Sequence, residues 1–155
     1  MGKDFSQQLK LATTGALDEV EEILQSSVIA LMSAAIIKTP IDTGRARNNW
    51  FVELGDRNVE KAERQKDNGG TASLEEVNSQ ISKLELGGKA LLYNNLPYIE
   101  VLENGNYPDP VKKGTKNRRT GKFEIRSVGG FSEQAPNGMV RAAVASWDQI
   151  VESNK

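Results

Sequence analysis

The side chains with the clearest chemical potential are cationic and fall in one stretch. Between residues 105 and 130 lie Lys112, Lys113, Lys116, Arg118, Arg119, Lys122 and Arg126, against only Asp109 and Glu124. Such a run can contact phosphates, with an affinity that falls steeply as salt rises. Tyr107 and Phe123 are the only aromatic side chains in the stretch that could stack on bases, and no nucleic-acid-binding motif accompanies them. Non-specific contact with DNA is therefore expected ahead of base reading. The bland alternative is a solvated loop, or one that docks on the acidic surface of a neighbouring subunit. Arg45 and Arg47 form a second cationic pair, two residues apart just before Trp50. Arginine suits bidentate contacts with carboxylates across a subunit interface. Within the chain, Asp42 or Glu53 could serve as the partner instead. Tyr98 and Glu103, on a short segment read as helical, are further candidates to face a partner.

Other chemistry is excluded by what is missing. The chain has 155 residues with no histidine and no cysteine. The commonest general base, thiolate nucleophiles and the usual zinc ligands are therefore absent, as is any disulfide framework. A phosphate-cradling loop would need Gly-x4-Gly-Lys-Ser/Thr. Here Gly114 and Gly121 are too far apart, and Lys122 is followed by Phe123. The acidic run Asp18-Glu19-Glu21-Glu22 could hold a hard cation such as magnesium, but its spacing fits the solvated face of an amphipathic helix. No enzyme activity, cofactor or metal site is expected. The apolar stretch Val28–Ile37 falls short of the roughly 18 residues a membrane span needs, and the first residues lack the pattern of a secretory signal.

Charge is unevenly spread behind a formal net charge of −1. Residues 1–104 carry 11 basic and 16 acidic side chains, whereas 105–130 carry seven and two. A basic segment thus sits on an acidic body, an asymmetry that asks for a partner.

These residues must be positioned by a modest set of elements. Phe5, Leu9, Ala12, Ala16, Val20, Ile23, Leu24, Ser27, Leu31 and Ala35 step mostly by three or four, predicting one helix from Phe5 to Lys38. Its second half should be the more buried, Gly15 is the natural place for a bend, and Thr39-Pro40 should end it. Asp42 reads as a helix N-cap before a short turn or helix over 45–48, Gly44 as a turn residue, and Trp50–Leu54 as a strand. Ser73 and Glu76 have capping-box spacing, predicting a helix that Gly87-Gly88 stops. Residues 89–94 suit a buried strand, and Pro97 should open a short helix that ends at Asn104-Gly105. The segment 106–122 reads as a mobile loop and 123–128 as a strand or hairpin arm. A last helix should open at Pro136 and carry Trp147, which with Trp50 is expected to anchor the core. The chain is thus read as one α+β domain over 1–155. A long N-terminal helix and a C-terminal helix pack on a small, mainly antiparallel sheet, and 106–130 forms an inserted basic loop or hairpin.

Four pieces, in this order, carry a resemblance: Thr39-Pro40-Ile41-Asp42-Thr43-Gly44-Arg45-Ala46-Arg47-Asn48-Asn49-Trp50; Tyr93-Asn94-Asn95-Leu96-Pro97-Tyr98-Ile99; Leu102-Glu103-Asn104-Gly105; and Gln134-Ala135-Pro136-Asn137-Gly138-Met139-Val140-Arg141. Together they resemble the tail-completion proteins of long-tailed bacteriophages, also described as neck, head–tail connector or minor tail proteins. The chain departs from that pattern at 106–131, which separates pieces that usually lie close together. The resemblance implies a structural virion protein at the head–tail junction, made in the bacterial host cytoplasm. It would form a homo-oligomeric ring, a hexamer being favoured, around the DNA channel. Its neighbours would be the head connector or head-completion protein and the tail terminator or tail tube protein. The inserted segment would line the lumen or reach a neighbouring ring. The competing readings are a nucleic-acid-binding accessory protein, a tail terminator ring protein and a carboxylate-metal nuclease.

Overall fold

An amphipathic run that meets a proline at its end dictates the first element. In the computed structural model, which describes residues 4–57 and 60–155, helix α1 spans Phe5–Ile37 and runs through Gly15 without a break. Its 33 residues reach about 50 Å at roughly 1.5 Å each. The two halves differ, as the hydrophobic stripe predicts. Residues 5–20 are exposed throughout, whereas Ser27, Met32, Ala35 and Ile36 are buried. By length and composition α1 could cross a membrane; here its apolar half is the central helix of the fold. It packs against three later helices: α2 (Thr71–Ile81), α4 (Val140–Val144) and α5 (Trp147–Ser153).

Strand β1 (Trp50–Leu54) pairs antiparallel with β2 (Ala90–Asn94), with Trp50 opposite Asn94 and Leu54 opposite Ala90. The other edge of β1 is closed by side chains of α2. The Ser73 hydroxyl accepts the Trp50 N–H at 3.1 Å and donates to the Trp50 carbonyl at 2.9 Å, while Glu76 accepts the Val52 N–H at 3.2 Å. Ser73 and Glu76 therefore do not form the expected capping box. The helix opens three residues earlier, with Gly70 in place of Ser73 as its N-cap, and its free N–H groups are taken by other side chains. Asp67 accepts from Thr71 at 2.7 Å and Asn48 accepts from Ala72 at 3.1 Å. The helix also stops at Ile81, short of Gly87-Gly88. Buried Leu84 sits in the following turn, where its carbonyl accepts Gln25 Nε2 from α1 at 2.8 Å.

Helix α3 (Ile99–Asn104) ends on Gly105, as expected. The inserted segment then folds into two small hairpins, the first of which reaches into 106–122, the part read as a loop. Strand β3 (Thr115–Lys116) pairs with β4 (Phe123–Glu124), and β5 (Ser127–Val128) with β6 (Phe131–Ser132). The strand expected over 123–128 is split between them. The C-terminal helix is also divided and does not open at Pro136, which is exposed in a turn. The start of α4 is set at Val140 by a carboxylate from α3, described below, and Ser146 leaves helical geometry with φ −98° and ψ 7° before α5 begins. The fold is α+β, with long and short helices around small antiparallel pairs.

One core joins these elements: Met32 and Ile36 of α1, Trp50 and Val52 of β1, Val77 and Ile81 of α2, with Leu96, Leu102 and Met139. Ile36, Ile81 and Met139 are 0% exposed, each contributing about 1.5–3 kcal/mol by leaving water.

Candidate functional site

The segment Thr39–Trp50 is held by its own polar side chains, because a chain that turns sharply after a helix leaves carbonyls without partners. Arg47 supplies them. Its guanidinium donates to the Ile37 carbonyl at 2.5 Å, to Thr39 at 2.8 and 3.1 Å and to Asn68 at 3.1 Å. Trp50 Nε1 donates to the Thr39 hydroxyl at 2.9 Å, itself bonded to the Ala35 carbonyl at 3.0 Å. Asn49 grips the returning loop from both ends of its amide, donating to the Arg64 carbonyl at 3.3 Å and accepting the Arg64 N–H at 2.7 Å, and it also donates to the Arg45 carbonyl at 2.7 Å. Gly44, at φ +75°, is required here: a Cβ would lie 2.5 Å from the backbone nitrogen of Asn68.

Arg45 pairs within the chain, but with neither Asp42 nor Glu53. Glu63 takes it bidentately at 2.5 and 2.7 Å, because the loop after β1 folds back over this turn. That bond holds the Glu63 carboxyl below its usual range and raises the Arg45 guanidinium further. The Arg45 guanidinium also lies 5.8 Å from the centre of the Tyr98 ring. Asp42 does not cap a helix. Its carboxylate takes Arg126 at 2.7 Å, fastening the inserted segment to this turn. That contact, helped by Glu124, raises the Arg126 guanidinium.

Glu103 has a clear intrachain role. Its carboxylate accepts the N–H groups of Met139 at 2.6 Å, Val140 at 2.9 Å and Arg141 at 2.9 Å, satisfying the open start of α4. Arg141 returns a bond to the Glu103 carbonyl at 3.3 Å. Gln134 ties the same region to the first motif by accepting the Ile41 N–H at 2.8 Å and donating to its carbonyl at 2.9 Å. Asn94 donates to the Ala46 carbonyl at 3.0 Å. The four separated sequence pieces thus meet in one hydrogen-bonded unit. Trp50 is buried as expected, Trp147 is half-buried at the start of α5, and Pro97 is exposed just ahead of α3.

A cleft of about 450 Å³ opens where this unit meets the inserted segment. Leu102, Tyr98, Tyr107 and Pro108 give it an apolar side, while Lys112 and Lys113 stand on the side of the insertion. Burial raises the phenols of Tyr98 and Tyr107 above their ordinary range. Lys113 Nζ lies 5.3 Å from the centre of the Phe123 ring. Lys112, Lys116, Arg118, Arg119 and Lys122 are exposed and enter no ion pair among the described residues. The insertion is nevertheless docked. The Tyr107 N–H donates to the Gly130 carbonyl at 3.0 Å, and the Phe131 ring covers Gly105 so closely that a Cβ there would meet its Cδ2 at 2.5 Å.

Glu63, Arg64, Asn48 and Gln134 escaped the sequence reading as organising residues, and Glu76 entered it only as a capping-box residue. For the asparagines the available signal was two adjacent amides just before a buried tryptophan; for Glu63 and Arg64 the surrounding charge pattern gave none. Asp18, Glu19 and Glu22 are exposed, Glu21 accepts the Leu86 N–H at 3.1 Å, and no metal-holding cluster forms among the described residues. Chemically, the arrangement offers a rigid hub and an apolar cleft with a basic side, suited to docking a chain. Neither a family model, nor a curated protein, nor a solved structure matches this chain.

Proposed function

We propose that the chain is a structural virion protein of a long-tailed bacteriophage, a tail-completion or neck protein. Copies form a ring, a hexamer being favoured, that joins the tail to the head connector around the DNA channel. The observation that carries this reading is the convergence of the four sequence pieces. Arg47, Asn94, Gln134 and Glu103 each bond across to another motif segment or the helix end beside it. Pieces that resemble one family in order and also interlock in space act as one structural signature. The ring's neighbours are the head-completion protein on one side and the tail terminator or tube protein on the other.

Electron microscopy of intact particles, with this protein's density located, tests the reading. A ring between connector and tail tube is the expected result, and absence from the particle overturns it. The unpaired cations of the insertion favour a second reading, a DNA-binding accessory protein. Salt-sensitive DNA binding by the isolated chain, together with absence from the particle, would select it.

A further inference from the structure

The molecule carries two uncovered surfaces of complementary chemistry. The first is the projecting half of α1. Phe5, Leu9, Leu17 and Val20 are 77%, 57%, 53% and 52% exposed on a helix that nothing covers before Glu21 among the described residues. Four helical turns project, about 24 Å at 1.5 Å per residue. Thr13 lies between Leu9 and Leu17, and its hydroxyl is bonded to the Leu9 carbonyl at 2.9 Å. Its methyl therefore extends the stripe without an unpaired polar group. Asp18, Glu19 and Glu22 stand beside these residues, exposed and acidic. The second surface is the cleft, apolar along Tyr98, Leu102 and Tyr107 and basic along Lys112 and Lys113.

We infer that the projecting half of α1 docks in the cleft of a second copy of this chain. The apolar stripe enters between Tyr98 and Tyr107, and Asp18 and Glu19 meet Lys112 and Lys113. Charge selects this occupant. Two α1 helices packed on each other would bring Asp18, Glu19 and Glu22 of both copies together, and two basic insertions would repel in the same way. Acid meets base only when α1 of one copy enters the cleft of another. Made in one direction round an assembly, such a contact leaves a free α1 at one end and a free cleft at the other, so it propagates and closes into a ring when the rotation allows. Laying an amphipathic helix into an apolar groove is a familiar recognition mode, with apolar positions three or four residues apart, as Leu9, Thr13, Leu17 and Val20 are here. The inference deepens the ring reading by naming its two faces and rests on that reading only for the closure into a ring.

The native chain contains no cysteine, so pairs of introduced thiols report the contact cleanly. Val20→Cys and, in the cleft lining, Val111→Cys are made in separate full-length chains, mixed and oxidised at low salt. A disulfide between the two variants is expected, whereas Val20-to-Val20 crosslinks alone would mean an isologous helix pair and overturn the proposal. Sedimentation at rising concentration gives the second readout. K112E/K113E should weaken self-association about tenfold or more, and adding D18K/E19K to the same chain should restore it. Association untouched by K112E/K113E, or a strict monomer at millimolar concentration in low salt, overturns the contact. A ring located in particles alongside either negative result keeps the head–tail reading and assigns its closure to another surface. Absence from particles with the crosslink present does the reverse.

Discussion

The turn from Thr39 to Trp50 and the insertion from Asn106 to Gly130 draw on the same residue types and use them in opposite ways. In the turn, Arg45 is held by Glu63 and Arg47 by three backbone carbonyls, and in the loop folded over it Arg64 is held by Glu76 and the Trp50 carbonyl. Every guanidinium there is occupied within the chain. In the insertion, Arg126 is anchored by Asp42, while Lys112, Lys116, Arg118, Arg119 and Lys122 reach no carboxylate among the described residues. The contrast separates two jobs for positive charge. A guanidinium that satisfies backbone carbonyls shapes the fold, most of all at the part-buried Thr39 carbonyl, because leaving a buried acceptor unpaired costs about 1–3 kcal/mol. Exposed ammonium groups contribute little to stability and remain available to a partner.

The strongest way to break the turn is Gly44→Ala. A Cβ at φ +75° would lie within 2.5 Å of the Asn68 nitrogen, and both sides of that contact are backbone. The expected loss is about 3 kcal/mol or more, a fall of roughly 6–12 °C in melting temperature for a chain of this size. Calorimetry measures it directly, and an unchanged transition would mean that the 67–70 loop can move aside. Glu103→Ala should cost less, about 1–2 kcal/mol, because it frees three N–H groups at a helix start that water can partly reach. Chemical denaturation should show the loss, and faster amide exchange at Met139, Val140 and Arg141 should localise it.

The difference between the two regions also explains what could be read in the sequence. α1, β1, β2 and the end of α3 follow from periodicity, a proline stop and a glycine stop, all local signals. The boundary of α2 did not, because Ser73 and Glu76 have the spacing of a capping box yet spend their oxygens on β1. The start of α4 also lay out of reach, since it depends on Glu103, 36 residues from Met139 along the chain. The pairing of Arg45 with Glu63 has the same origin: a loop must fold back 18 residues before they meet. The insertion was legible as a charged segment in composition, but its hairpins are two residues per strand, too short for alternation to register.

Alkaline titration separates the body of the fold from the cleft in one experiment. The chain has three tyrosines, and all are held above the ordinary phenol value, chiefly by burial. Tyr93, whose hydroxyl donates to Glu53 at 2.6 Å in the β1–β2 pair, is pushed up to about 12. A raised folded-state value means the stability these phenols carry is whole below pH 10, the value of the free group. It is lost as pH climbs through the folded value. Phenolate absorbance should therefore lag that of free tyrosine, with circular dichroism falling alongside it. Tyr98 and Tyr107 line the cleft, so an occupant there should delay their titration and leave Tyr93 unchanged. Equal shifts of all three would remove the distinction between body and cleft.

The smallest expected effect on stability is the most informative about function. Replacing Lys112, Lys113, Lys116, Arg118 and Arg119 with Gln removes five charges, none of which enters an ion pair among the described residues. The loss of their mutual repulsion offsets the loss of the Lys113 contact with the Phe123 ring. The melting temperature should stay within about 2 °C, the shift that roughly 0.5 kcal/mol produces in a chain of this length. On the head–tail reading proposed above, particle assembly or DNA retention should nevertheless fail, because a partner facing these charges would lose its counterpart. A folded variant that still gives a normal yield of particles would make the insertion a solvated ornament. A variant that unfolds would show that these cations, like Arg47, belong to the fold.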